Sequence, residues 1–201
     1  MMKRFALALV CLIASAGSAS AQEVVGSSLV EGKQVQLMSD FTWRYIGSRT
    51  DDCIAIEDDI SFCGLTGGWK QTAVGPNLDA KAMFRKNDRS YGLFIVEALG
   101  SADGMTAETM RSLVISNAAD AAGVQAKDVP VLSVSAATID GRSGTTIAYS
   151  IKISELNFVF LNTIVTEPQR TTQVVTYGIG TQLTSDMTQD HRQFLQATRF
   201  E

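Results

Sequence analysis

The chain has 201 residues, 45% of them hydrophobic and 19% charged, with a formal charge of −4. That is enough for one domain of ordinary size with a small addition, and the acidic balance lacks the basic footprint that nucleic-acid binding needs. A single histidine, three cysteines and no phosphate-loop or nucleophile-elbow pattern give a richly populated metal centre or catalytic triad no sequence support.

Met1-Met2-Lys3-Arg4, an apolar run from Phe5 to Ala14 and small residues ending in Ala19-Ser20-Ala21 have the form of a secretory signal. The expected mature chain starts at Gln22 and is periplasmic. The apolar run is shorter than the roughly 20 residues a membrane-spanning helix needs, so no transmembrane segment is expected in the mature chain. Val10 precedes Cys11 where a lipoprotein signal would carry Gly, Ala or Ser. Cleavage takes Lys3 and Arg4 with it and leaves the mature chain more acidic still.

Residues 22–68 are expected to form an N-terminal β-hairpin and a disulfide-pinned loop. Val24-Val25 with Ser27 to Val30, Gln34 to Leu37 and Phe41 to Ile46 read as two or three short strands, separated by Glu31-Gly32-Lys33 and Ser39-Asp40. The run Val35-x-Leu37-x-x-Asp40-x-Thr42-Trp43-x-Tyr45 resembles a hairpin common in small exported bacterial domains. In that pattern Gly usually stands where this chain has Phe41. Cys53 and Cys63, an even pair in an oxidising compartment, predict a structural disulfide. Around them Asp51, Asp52, Glu57, Asp58 and Asp59 offer oxygen ligands of the kind Ca²⁺ takes. The D-x-[DN]-x-[DN]-G order of a calcium loop is absent, so a solvated acidic connection with no metal is expected.

From Trp69 the pattern is regular, and residues 69–201 are read as the main domain. Trp69 to Val74 and Ala82 to Arg85 read as strands around a break at Pro76-Asn77. The basic cluster Lys81, Arg85, Lys86 and Arg89 surrounds an Asn87-Asp88 turn, which predicts a solvated hairpin tip. The strand from Ser90 has apolar residues on both faces, Tyr91, Leu93 and Ile95 against Phe94 and Val96, as an interior strand does. Glu97 near its end is expected to be half-exposed. After Gly100-Ser101-Ala102-Asp103-Gly104 comes a helix with Thr106 as N-cap, Glu108 in the first turn and Gly123 as its stop. Its expected buried stripe is Met110, Leu113, Val114, Asn117, Ala118 and Ala121.

Four strands follow, over 129–139, 143–154, 156–166 and 171–181. Asp140-Gly141, Ser154-Glu155 and Glu167-Pro168-Gln169-Arg170 supply the turns, which makes an antiparallel meander. The strand at 156–166 is apolar on both faces and is expected at the centre of the sheet. Thr184 caps a second helix with Met187, His191, Phe194, Leu195 and Thr198 on one stripe. On such a stripe His191 is expected to be packed and hydrogen-bonded.

The fold class that results is α+β: an antiparallel meander flanked by two helices, with an N-terminal β-hairpin appendage. This order, the helix from Thr106 to Ala122 and the closing His191-Arg192-Gln193-Phe194-Leu195-Gln196-Ala197-Thr198-Arg199-Phe200 segment resemble the PsbP-like α/β/α sandwich, a group that includes periplasmic proteins similar to DcrB. The resemblance spans about residues 69–201. It implies a fold, and a tendency to bind or stabilise other proteins; no ligand motif of the photosystem subunit that gives the group its name can be matched here. The leading expectation is a non-enzymatic accessory or protein-binding module with no cofactor. The alternatives are a small-molecule or lipid carrier, which predicts an apolar cavity of several hundred Å³, and an enzyme of unrecognised type. For an enzyme, Glu97, Asp103 and His191 are the side chains to test.

Overall fold

A computed structural model describes residues 24–30, 33–39, 41–45, 53–76 and 78–201. The expected signal, residues 1–21, and Asp51 and Asp52 lie outside the described residues.

Three short strands, β1 (Val24–Val30), β2 (Lys33–Met38) and β3 (Trp43–Tyr45), form an antiparallel sheet of their own. A second small sheet joins β4 (Ile54–Glu57) and β5 (Ile60–Phe62) to the last strand of the chain, β13 (Thr198–Phe200). The main sheet holds β6 (Lys70–Thr72), β7 (Ala82–Asn87), β8 (Ser90–Glu97), β9 (Val131–Ile139), β10 (Arg142–Ile153), β11 (Leu156–Thr166) and β12 (Thr171–Ile179). Its strand order is β6-β7-β8-β12-β11-β10-β9, antiparallel throughout. The last four strands form the expected meander. The central strand, however, is β12 and not β11, because β12 returns to pair along its length with β8.

Helix α1 (Ala107–Ala122) lies over β10 and β11 on one face, and α2 (Ser185–Ala197) lies over β12 and β8 on the other. Both start as expected: Thr106 Oγ1 accepts from Thr109 N at 3.0 Å, and Thr184 Oγ1 accepts from Met187 N at 3.2 Å. Gly123 ends α1 in the left-handed region at φ 68°. The buried side of α1 is rotated from the one its sequence suggests. Met110, Val114, Ala118 and Ala119 are buried, whereas Leu113, Asn117 and Ala121 face outward. Ile115 and Ala122 pack beside them, so the helix is rolled toward Ile115, Ala119 and Ala122 and away from Leu113, Asn117 and Ala121.

The two faces have separate cores. Under α1, Met110, Val114 and Ala118 pack on Ile147, Tyr149, Ile151 and Ile164. Under α2 and the small β4-β5-β13 sheet, Phe62, Trp69, Phe84, Phe94 and Phe194 form one aromatic cluster. The segment expected as an acidic connection is therefore partly a hairpin. Its residues Ile56, Ile60 and Phe62 enter this core, and the predicted Cys53–Cys63 disulfide closes across it.

Candidate functional site

The three side chains named for an enzyme are not brought together. His191 is 4% exposed on the α2 face, where its Nε2 meets Thr163 Oγ1 at 2.7 Å and its Nδ1 meets Thr176 Oγ1 at 2.8 Å. Thr163 in turn meets Thr146 at 2.6 Å. Burial away from water pulls the imidazole pKa down to about 4, so the ring is neutral and its two nitrogens are held by hydroxyls. Glu97 lies on the opposite face, where its Oε1 accepts from Gln173 Nε2 at 2.8 Å; Gln173 Oε1 accepts from Asn162 Nδ2 at 2.7 Å. Asp103 closes a local turn, its Oδ2 accepting from Gly100 N at 2.9 Å.

The charged clusters are also internally paired. Glu57 meets Lys81 at 2.8 Å, and Asp59 pairs with Arg170, which also holds Glu167 at 2.7 Å. The hydrogen bond from Arg170 is the main reason the Asp59 carboxyl is held below its ordinary pKa. Among the described residues, no three His, Cys, Asp or Glu are grouped to hold a metal. The basic cluster in and around β7 is tied in the same way. Lys86 Nζ donates to Asp190 at 2.6 Å and Gln193 at 2.7 Å on α2, while Arg85 pairs with Asp88 at 3.3 Å.

Among the described residues, three surface regions of aromatic or apolar character differ from these paired clusters. The first is the β2–β3 turn. Met38 N donates to Thr42 O at 2.9 Å, and Phe41 N to Met38 O at 3.0 Å. Phe41 sits at φ 64°, the left-handed conformation that glycine tolerates best, and its ring is 99% exposed. The sequence pattern pointed to this position, since Phe stands there in place of the usual Gly. Trp43, two residues on, is 51% exposed.

The second is a row of rings on the α1 face. Tyr91, Tyr177, Phe160 and Tyr149 stand opposite one another on four adjacent strands, each ring 5.1 Å from the next. Tyr91, Tyr177 and Phe160 are half-buried; burial, reinforced by Tyr91, lifts the Tyr177 hydroxyl to a pKa of about 12. No sequence signal shows this row, because it exists only once the strand registers are known.

The third is an open cleft of about 600 Å³ where β10 runs past the start of β9. Val124, Val129 and Ile151 line it together with Asp128, Ser150 and Lys152. This mixed lining differs from the apolar cavity expected of a small-molecule or lipid carrier. Among the described residues, no helix is long and apolar enough to cross a membrane.

No family model matches the sequence. No curated protein matches it either. Among solved structures, the chain is similar to the solution structure of cyanobacterial PsbP (CyanoP) from Synechocystis sp. PCC 6803, with 16% identity and a TM-score of 0.49 over 77% of this chain and 90% of that one.

Proposed function

We propose that this protein is a non-enzymatic, exported accessory module that holds a protein partner through the tip of its N-terminal hairpin. The observation that carries the reading is Phe41, a large apolar ring left wholly in water by a backbone conformation that costs energy for any residue but glycine or asparagine. Among the described residues nothing offsets either cost, and a pocket in another protein that buries the ring would offset both, as aromatic anchors at interfaces do. The expected export signal and the disulfide support a partner outside the cytoplasm.

Phe41→Gly separates binding from folding, since glycine suits φ 64° and, among the described residues, the side chain is left in water. The expected outcome is a thermal midpoint equal to or above that of the parent, with crosslinked recovery of a defined partner from a periplasmic extract abolished. Equal recovery with both proteins would overturn the reading. The cleft favours a second reading, a carrier for a small amphipathic molecule. Native mass spectrometry of freshly isolated protein decides it, because a carrier keeps a ligand mass that denaturation releases.

A further inference from the structure

The two edges of the main sheet are built differently. β6 is three residues long and begins with Lys70, which is the usual way of blunting an edge. β9 has nine residues, Val131 to Ile139, with neither a charge nor a proline among them. It is exposed from Val131 to Ala136 and again at Thr138. Long, uncharged, exposed edges carry a row of unpaired backbone donors and acceptors that recruit another strand. A register slip opposite Ala148 and Tyr149 disturbs the start of β9, and from Ser133 onward its pairing with β10 is regular.

The pairing fixes which groups point outward. Asp140 and Gly141, at φ 48° and 80°, form a two-residue turn of the kind that closes hairpins, so Ile139 and Arg142 exchange hydrogen bonds. Alternation then directs the backbone groups of Ala137, Ser135 and Ser133 to β10, and those of Thr138, Ala136 and Val134 away from the sheet.

We propose that β9 pairs antiparallel with β9 of a second copy of this chain, about a two-fold axis at Ala136, so that the two main sheets become continuous. In this register Ala136 faces its own counterpart and Val134 faces the partner's Thr138, giving about six new backbone hydrogen bonds. A two-fold contact requires a surface complementary to itself. A strand of Val, Ser, Ala and Thr meets no like charge when set against its copy and has small side chains at the centre of the pairing. A charged foreign strand finds no counter-charge along β9.

The test is sedimentation of the purified protein with and without Ala136→Pro, at concentrations up to about 100 μM, since self-association depends on concentration. Ala136 donates nothing to β10, so proline there removes only an outward donor. The expected result is a dimer for the parent, a monomer for the variant with an unchanged circular dichroism spectrum, and slower exchange of the Val134, Ala136 and Thr138 amides in the dimer. If the proline variant does not fold, Ala136→Lys sets like charges opposite each other across the axis and is expected to weaken association by about tenfold or more. A parent that stays monomeric throughout, a dimer that persists in a folded variant, or a β9 edge that pairs only with a strand of another protein would each overturn the proposal.

Discussion

Phe194→Ala is expected to lower the unfolding free energy by about 3–5 kcal/mol, the range for truncating a fully buried phenylalanine. The ring is 0% exposed and lies 4.4 Å from Phe62, 4.7 Å from Trp69 and 5.2 Å from Phe94. It is seated directly over Gly92 of β8, where even a Cβ atom would come within 2.5 Å of it. The neighbouring rings are held on separate segments, Phe62 on β5, Phe94 on β8 and Trp69 just before β6, so they cannot collapse into the space left behind. Against a typical domain stability of about 5–15 kcal/mol, a large share of the folding free energy depends on this one contact. Urea unfolding measures it; a loss below about 1 kcal/mol would mean that α2 is not seated as described.

Removing the Cys53–Cys63 bridge in a Cys53→Ser, Cys63→Ser double variant is expected to cost about 2.5–3 kcal/mol, the chain-entropy value for so short a loop. The bridge closes the β4–β5 hairpin, which inserts Ile56, Ile60 and Phe62 under α2. The same hairpin pairs with β13 at the far end of the chain. Adding a reductant to the parent is therefore expected to reproduce the loss, while the double variant shows no response to it. A parent whose unfolding midpoint is unmoved by full reduction would show that the hairpin holds without its staple.

Features specified by nearby residues were legible in the sequence: both helix N-caps, the glycine stop of α1, the Asp140-Gly141 turn and the meander that follows it. Features set by distant pairing were not. The Ile54-Ala55-Ile56 strand is short and lies in acidic surroundings, and its sheet is completed by Thr198–Phe200, so its neighbourhood looked like a loop. Leu113, Asn117 and Ala121 fit a helical stripe, yet how far a helix rolls on its sheet is decided by the strands beneath it, here β10 and β11. The centre of the sheet was assigned to β11 because both its faces are apolar; the pairing of β12 with β8 moves it by one strand. At the site level, Phe41 was visible as a departure from a pattern, whereas the Tyr91 to Tyr149 row needed strand registers. The uncharged composition of β9 could be read directly, but its place at an edge could not.

The proposed function requires that the polar cluster around His191 is sealed from water. His191 reports on this directly, since it is the single histidine of the chain and sits between Thr163 and Thr176. Its folded pKa lies below the unfolded value, so the unfolded chain takes up the proton first. Stability is full above pH 6.5 and is lost as the pH falls toward 4. Between pH 7.5 and 5 the loss from this group is about 2 kcal/mol. The measurement is an NMR titration of the His191 ring protons in the folded protein. The predicted result is one transition near pH 4 and none at neutral pH; a transition at or above the ordinary histidine value of about 6.5 would show a ring open to water and able to exchange protons there, and would contradict the account.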